Sequence, residues 1–91
     1  MGRVVTVAAA QLGRIQRDDA RADVVERLRM LLREAAKRGA DLVVFPELAL
    51  TTFFPRWWFE DGDPELAAFY EADARESAGA LFAEARRLGV G

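Results

Sequence analysis

Cysteine and histidine are both missing from the 91 residues. Without them the chain has no disulfide framework, no zinc or haem ligand set, and no Ser-His or Cys-His dyad of its own. Lysine occurs once, at Lys37. An excess of one charge sign is also missing. The net charge is −2, and basic and acidic residues are interspersed. That leaves no electrostatic footprint for nucleic acid or for an anionic membrane surface. No apolar run approaches the roughly 20 residues of a membrane-spanning helix. The lack of disulfides is compatible with the cytoplasm, which is the expected location.

What is present suits one small globular unit. Apolar residues make up 52% and charged residues 31%, a balance that excludes a disordered chain. Two amino-terminal signals are weak. Arg3 before Val4–Ala10 resembles a short secretion signal, and Met1-Gly2 with Thr6 fits a lipidation pattern. The same residues serve better as a strand. VVTVAAA, residues 4–10, is β-branched at its start and apolar almost throughout, which predicts a strand buried on both faces.

Asp18-Asp19 then offers a helix cap. Val24, Leu28, Leu31, Leu32 and Ala35 recur at helical spacing, and Asp23/Arg27 and Glu34/Arg38 are spaced as i,i+4 pairs. Lys37 and Arg38 suit a last turn and Gly39 the residue beyond it. The pattern predicts a helix over 20–38. LVVF, residues 42–45, predicts a second strand, parallel to the first in a βαβ unit. Residues 48–63 read as a loop. Asp63-Pro64 opens a short helix, with Leu66, Phe69 and Tyr70 on its apolar side. A last helix is predicted over 74–88, with Ala78, Leu81, Phe82, Ala85 and Leu88 as its stripe and Gly79 weakening it.

AAKRGADLVVF and EARRLGVG end two helices in similar fashion. The second reads as the same passage from helix to strand, stopped where a third strand would begin. Two parallel strands cannot cover themselves. The expected fold class is therefore α/β, with residues 1–91 forming the amino-terminal segment, a βα-β-αα run, of one larger domain. The alternative is a complete small domain with both sheet edges exposed. A chain confined to these residues is expected to be poorly folded or to self-associate, because its strands and aromatic loop lack cover.

Open α/β sheets place ligands at the carboxyl ends of their strands. Glu47 lies two residues past LVVF, behind Pro46, which ends ladder pairing and fixes the local φ. A partly buried glutamate there could act as a general base. A surface acid at a strand end fits equally simple chemistry, and spacing alone favours it. Phe53, Phe54, Trp57, Trp58 and Phe59 suit either packing or a pocket wall or interface, and Arg56 could lie over a tryptophan face. Single-stranded nucleic acid is disfavoured by the charge balance. QLGRIQRDDA carries no dinucleotide-binding glycine pattern.

VAAAQLG followed by AAKRGADLVVFPELALTTFFPRWWF resembles the amino-terminal third of the nitrilase, or carbon–nitrogen hydrolase, superfamily. FPELALTTFFPRW is most similar to the N-carbamoyl-D-amino-acid hydrolases. The chain departs from the family pattern after Pro64, where EADARESAGALF replaces an acidic-to-GPxV segment. The resemblance implies an α-β-β-α four-layer sandwich that pairs through its outer helices into a homo-oligomer, a dimer or tetramer at full length. It also implies a Glu-Lys-Cys catalytic set without metal or cofactor, acting on a small N-carbamoyl-D-amino acid. By motif match Glu47 is the base. Lys37, in the last turn of a helix, does not match the family lysine. The family's cysteine and its carboxylate-holding arginines lie downstream of this segment, so no substrate-binding residue carries over. The chain alone is expected to be inactive. Another amidase or nitrilase of the superfamily, or a non-catalytic interaction module, is the alternative.

Overall fold

The computed structural model describes residues 2–70 and 74–91. Met1 of the lipidation pattern, and residues 71–73 of EADARESAGALF, lie outside the described residues. The elements in chain order are β1 (Val7–Ala9), α1 (Arg21–Lys37), β2 (Leu42–Val44), a single 3-10 turn (Phe54–Arg56), α2 (Pro64–Phe69), α3 (Ala74–Ser77) and α4 (Gly79–Leu88). β1 and β2 pair in parallel, with Val7 opposite Leu42 and Ala9 opposite Val44. This is the βαβ unit that the periodicity predicts.

Each element forms for a local reason, and α1 shows most of them. Its buried stripe is Val24, Val25, Leu28, Leu32 and Ala35. It does not start at the expected acidic cap. Ala20 takes the cap position without a side-chain bond. Asp19 is engaged elsewhere: its carboxylate accepts from the Gln16 N–H at 2.7 Å and lies 3.8 Å from Arg27. The far end follows the sequence closely. Gly39 adopts φ +87°. Its N–H donates to Ala36, and the Ala40 N–H reaches back to the Ala35 carbonyl at 3.0 Å. This is a Schellman closure, which satisfies carbonyls that the helix end leaves without partners. α2 begins as predicted, with Asp63 accepting from the Glu65 N–H at 2.8 Å and Pro64 in the first turn.

α4 repeats the stop of α1. Gly89 has φ +70°, and the Val90 N–H donates to the Ala85 carbonyl at 3.0 Å. The chain then lies along the free side of β2. The Gly91 N–H donates to Asp41, and the Val43 N–H donates to Gly91, both at 2.9 Å. The likeness of the two sequence endings is thus a likeness of geometry. The predicted helix over 74–88 is divided in two. Ala78 sits between α3 and α4 at φ −105°, ψ 19°, outside helical geometry and just ahead of Gly79.

The strands correct the expectation of burial on both faces, and β1 is shorter than the predicted 4–10. Leu32, Ala35, Val43 and Val90 form a core against which Ala8, Phe45, Leu81 and Ala85 pack. Side chains alternate along a strand, so Val7, Leu42 and Val44 point the other way. They are exposed, because both long helices serve the same face. Val4 and Val5 are exposed as well. A strand needs a partner on each buried side, and here one face of the sheet has none among the described residues. The chain is elongated, 55 × 22 × 20 Å.

α1 and α4 are joined by a charge cluster that the apolar stripes do not announce. Glu84 on α4 is 5% exposed. It accepts from Arg33 Nε across the helix pair and from Arg87 Nη2 at 2.8 Å on its own helix. Arg29 Nη2 stands 3.8 Å away. Burial of a lone carboxylate would be costly; here three guanidinium groups compensate. Hydrogen bonds from Arg87, then Arg33, hold the Glu84 carboxyl down at about 2. Of the two intrahelical pairs expected on α1, Glu34 and Arg38 meet at 3.0 Å. Arg27 instead turns to the loop after β1.

Two outcomes are expected. Leu28 is 1% exposed, so Leu28→Ala should cost about 2–5 kcal/mol by urea denaturation, the range for truncating a buried leucine. Glu84 binds its proton less tightly when folded, so its contribution is whole above the ordinary value of 4.5 and is lost as pH falls toward about 2. The urea midpoint should fall through that window, and Glu84→Gln should flatten the fall. An unchanged slope in Glu84→Gln would exclude this carboxylate as the cause.

Candidate functional site

Two parallel strands end at the same edge, and the segments that leave them form a cleft there. Leu12–Ile15 follow β1 and Pro46–Ala49 follow β2. With Thr51, Thr52, Phe53 and Arg56 they enclose about 280 Å³. Glu47 is in this lining, at the edge where open α/β sheets place their chemistry.

The wall after β1 is tied down from α1. Arg27 Nη2 donates to the Leu12 carbonyl at 2.8 Å and to the Arg14 carbonyl at 3.0 Å. Gly13, between them, turns with φ +80° and lies against that guanidinium. One side chain thus holds both sides of the bend.

The wall after β2 is fixed by its backbone. The Ala10 N–H donates to the Val44 carbonyl at 2.9 Å, and Pro46 then has no N–H to extend the ladder. Leu48 has φ +54°, a left-handed conformation that costs a residue with a Cβ roughly 1–2 kcal/mol. The Thr51 N–H closes this turn onto the Leu48 carbonyl at 3.3 Å. Glu47 therefore stands between a proline with fixed φ and a strained leucine, so the backbone on either side of it is constrained. Strain of this kind concentrates at functional positions. The carboxylate itself is exposed, not partly buried, and forms no ion pair among the described residues. The helices pack against one face of the sheet and do not cover the Glu47 carboxylate.

The aromatic tract divides between the two roles open to it. Phe54 stacks on Phe69 of α2 at 5.7 Å and tilts against Tyr70 at 5.1 Å, and Phe59 meets Phe69 edge-on at 6.0 Å. These three ring contacts anchor the loop to α2. Arg17 adds a clamp. Its guanidinium lies 4.9 Å from the Trp57 ring and 5.2 Å from Phe59. It also binds Glu65 through two bonds of 2.6 and 2.8 Å. These bonds raise the Arg17 pKa and lower that of Glu65. Arg56 lies over Trp57 at 5.5 Å. Phe53 lines the cleft, and Trp58 is 82% exposed.

Sequence reasoning singles out Glu47 and the aromatics but not Arg14, Arg17 or Arg27. Their contacts join segments far apart in the chain, so no local pattern marks them. Lys37 ends α1 beside the amino end of β2, opposite the edge that carries Glu47, so the two are not brought together. No group of three His, Cys, Asp or Glu gathers to hold a metal ion among the described residues.

The sequence matches a known family over almost all of its length. The sequence profile described as carbon-nitrogen hydrolase matches residues 6–90. The match begins just before β1 and runs past the end of α4, so it includes both cleft walls and Glu47. The chain belongs to the carbon–nitrogen hydrolase family, within the nitrilase superfamily.

Proposed function

We propose that this segment supplies the general base of a hydrolase that converts N-carbamoyl-D-amino acids to the free D-amino acid, ammonia and carbon dioxide. The observation that carries this reading is the placement of Glu47. It sits at the carboxyl edge of a parallel sheet, in a cleft, with its backbone fixed on both sides, and within FPELALTTFFPRW, the stretch most similar to those enzymes.

In this mechanism Glu47 takes the proton of a cysteine thiol, and the thiolate attacks the carbamoyl carbon. A lysine ammonium stabilises the tetrahedral oxyanion. The proton held by Glu47 passes to the departing nitrogen, and ammonia leaves a thiocarbamoyl intermediate. Water, deprotonated by the same carboxylate, releases the cysteine as thiol. The carbamate formed then loses carbon dioxide. The chain has no cysteine, and its single lysine is Lys37. The 91 residues alone are therefore proposed to be inactive, and to act as the amino-terminal part of a four-layer sandwich that works as a cytoplasmic homo-oligomer. Another amidase or nitrilase chemistry would use the same base. The exposed Trp58 and the bare sheet face also favour a second reading, a non-catalytic interaction module.

Glu47→Gln separates these readings when introduced into the full-length enzyme carrying this segment. Ammonia release from an N-carbamoyl-D-amino acid should fall about 10²–10⁴-fold, the scale of a lost general base. The elution volume on size exclusion should be unchanged. Undiminished turnover would remove Glu47 from the mechanism. Ammonia release by the purified 91-residue chain would overturn the proposed inactivity.

A further inference from the structure

Arg27 is not among the side chains that line the Glu47 cleft. It reaches the cleft only through backbone. Its Nη2 donates to the Leu12 carbonyl at 2.8 Å and to the Arg14 carbonyl at 3.0 Å. One nitrogen thus fills the inside of the bend at Gly13, where φ is +80° and a Cβ would stand 3.8 Å from it. The other terminal nitrogen, Nη1, lies 3.8 Å from the Asp19 carboxylate farther along the same loop. Leu12, Gly13, Arg14 and Ile15, by contrast, line the cleft together with Glu47. The cleft therefore meets the bend from the side that the guanidinium leaves open.

These bonds fix more than the path of the loop. The chain has no cis peptide bond, and in a trans peptide the N–H points opposite to the carbonyl. With the Leu12 and Arg14 carbonyls turned toward Arg27, the N–H groups of Gly13 and Ile15 turn away from it. Neither donates to a protein acceptor among the described residues. Loss of the guanidinium would free both peptide planes to rotate and would change the surface that this wall offers. Arg27 stands off the buried stripe of α1, so the apolar packing of the helix does not depend on it. We propose that Arg27 is a positioning residue for hydrolysis. It holds the wall after β1 at the spacing from Glu47 at which the scissile group is seated, and it acts on the rate without touching the substrate. A displacement of about 1 Å at a reacting centre can cost roughly 10²-fold in rate, so a side chain behind the wall can matter this much. The inference rests on the reading of this cleft as a hydrolase site.

The test uses the full-length enzyme carrying this segment, with ammonia release measured from N-carbamoyl-D-alanine and from propionamide. Arg27→Gln should lower kcat about 10- to 100-fold. KM should stay within about 3-fold, because Arg27 touches nothing in the cleft, and the far-UV circular dichroism should match that of the parent. Arg27→Lys should restore most of the lost kcat, since one nitrogen makes both bonds and an ammonium can donate to both carbonyls. Gly13→Ala strains the same bend from the other side, because φ +80° suits a Cβ poorly, and it should lower kcat in the same way. Combined with Arg27→Gln, it should cost no more than about 3-fold beyond the more damaging single change. An unchanged kcat in Arg27→Gln, a loss that falls on KM alone, no recovery in Arg27→Lys, or full additivity with Gly13→Ala would each overturn the inference and leave the hydrolase reading standing. A parent that hydrolyses only propionamide would overturn the carbamoyl substrate, and Arg27 would be judged by the same criteria on that amide. A parent inert to both would overturn the hydrolase reading and the inference with it.

Discussion

Parallel strands cannot be joined by a tight turn, so β1 and β2 need the long excursion through α1, and their carboxyl ends must meet on one edge. The bonds that hold this register are few. The Asp41 carboxylate accepts from the Thr6 N–H at 2.9 Å, and the Asp41 N–H donates to Thr6 at 2.8 Å. At the other end the Ala10 N–H meets the Val44 carbonyl. A slip of one residue would exchange the faces of Val43 and Val44. It would also separate Gly13 from Glu47. The cleft therefore depends on a ladder of three residue pairs.

The cleft itself is built from long-range ties more than from buried apolar surface. Arg27 holds one lip by two carbonyls, and Arg17 fixes the aromatic loop through Trp57, Phe59 and Glu65. Exposed ion pairs contribute little to stability by themselves, but here each sets the position of a loop. Arginine suits this work because its fork can bind two acceptors while its face stacks on a ring.

The readable parts of the sequence were those set by neighbours in the chain. Gly39 announces the stop of α1, Asp63-Pro64 announces α2, and LVVF with Pro46 announces β2 and its end. The acidic pair before α1 misleads, because Asp19 finds Gln16 and Arg27 before it can cap. Burial on both strand faces is a property of layers, not of a seven-residue run. Val7, Leu42 and Val44 show this by remaining exposed. Glu84 lies off the apolar stripe of α4, and only the approach of Arg33 and Arg29 from α1 gives a reason for its burial. Glu47 is ambiguous by spacing; the surrounding motif supports its proposed role as base, and the turn around it adds a left-handed neighbour at Leu48. Arg14 carries no sequence signal, since it joins the cleft lining only when the segments after the two strands meet.

Glu84 has a consequence for anyone who measures rate against acidity. Its carboxyl exchanges its proton far below the ordinary value of 4.5, and it lies between helices, away from the residues lining the cleft. The electrostatic fastening of α1 to α4 is therefore complete throughout the mildly acidic range. The acid limb of a turnover profile in that range would not arise from loosening at this fastening, and the groups that produce it must be sought elsewhere in the molecule.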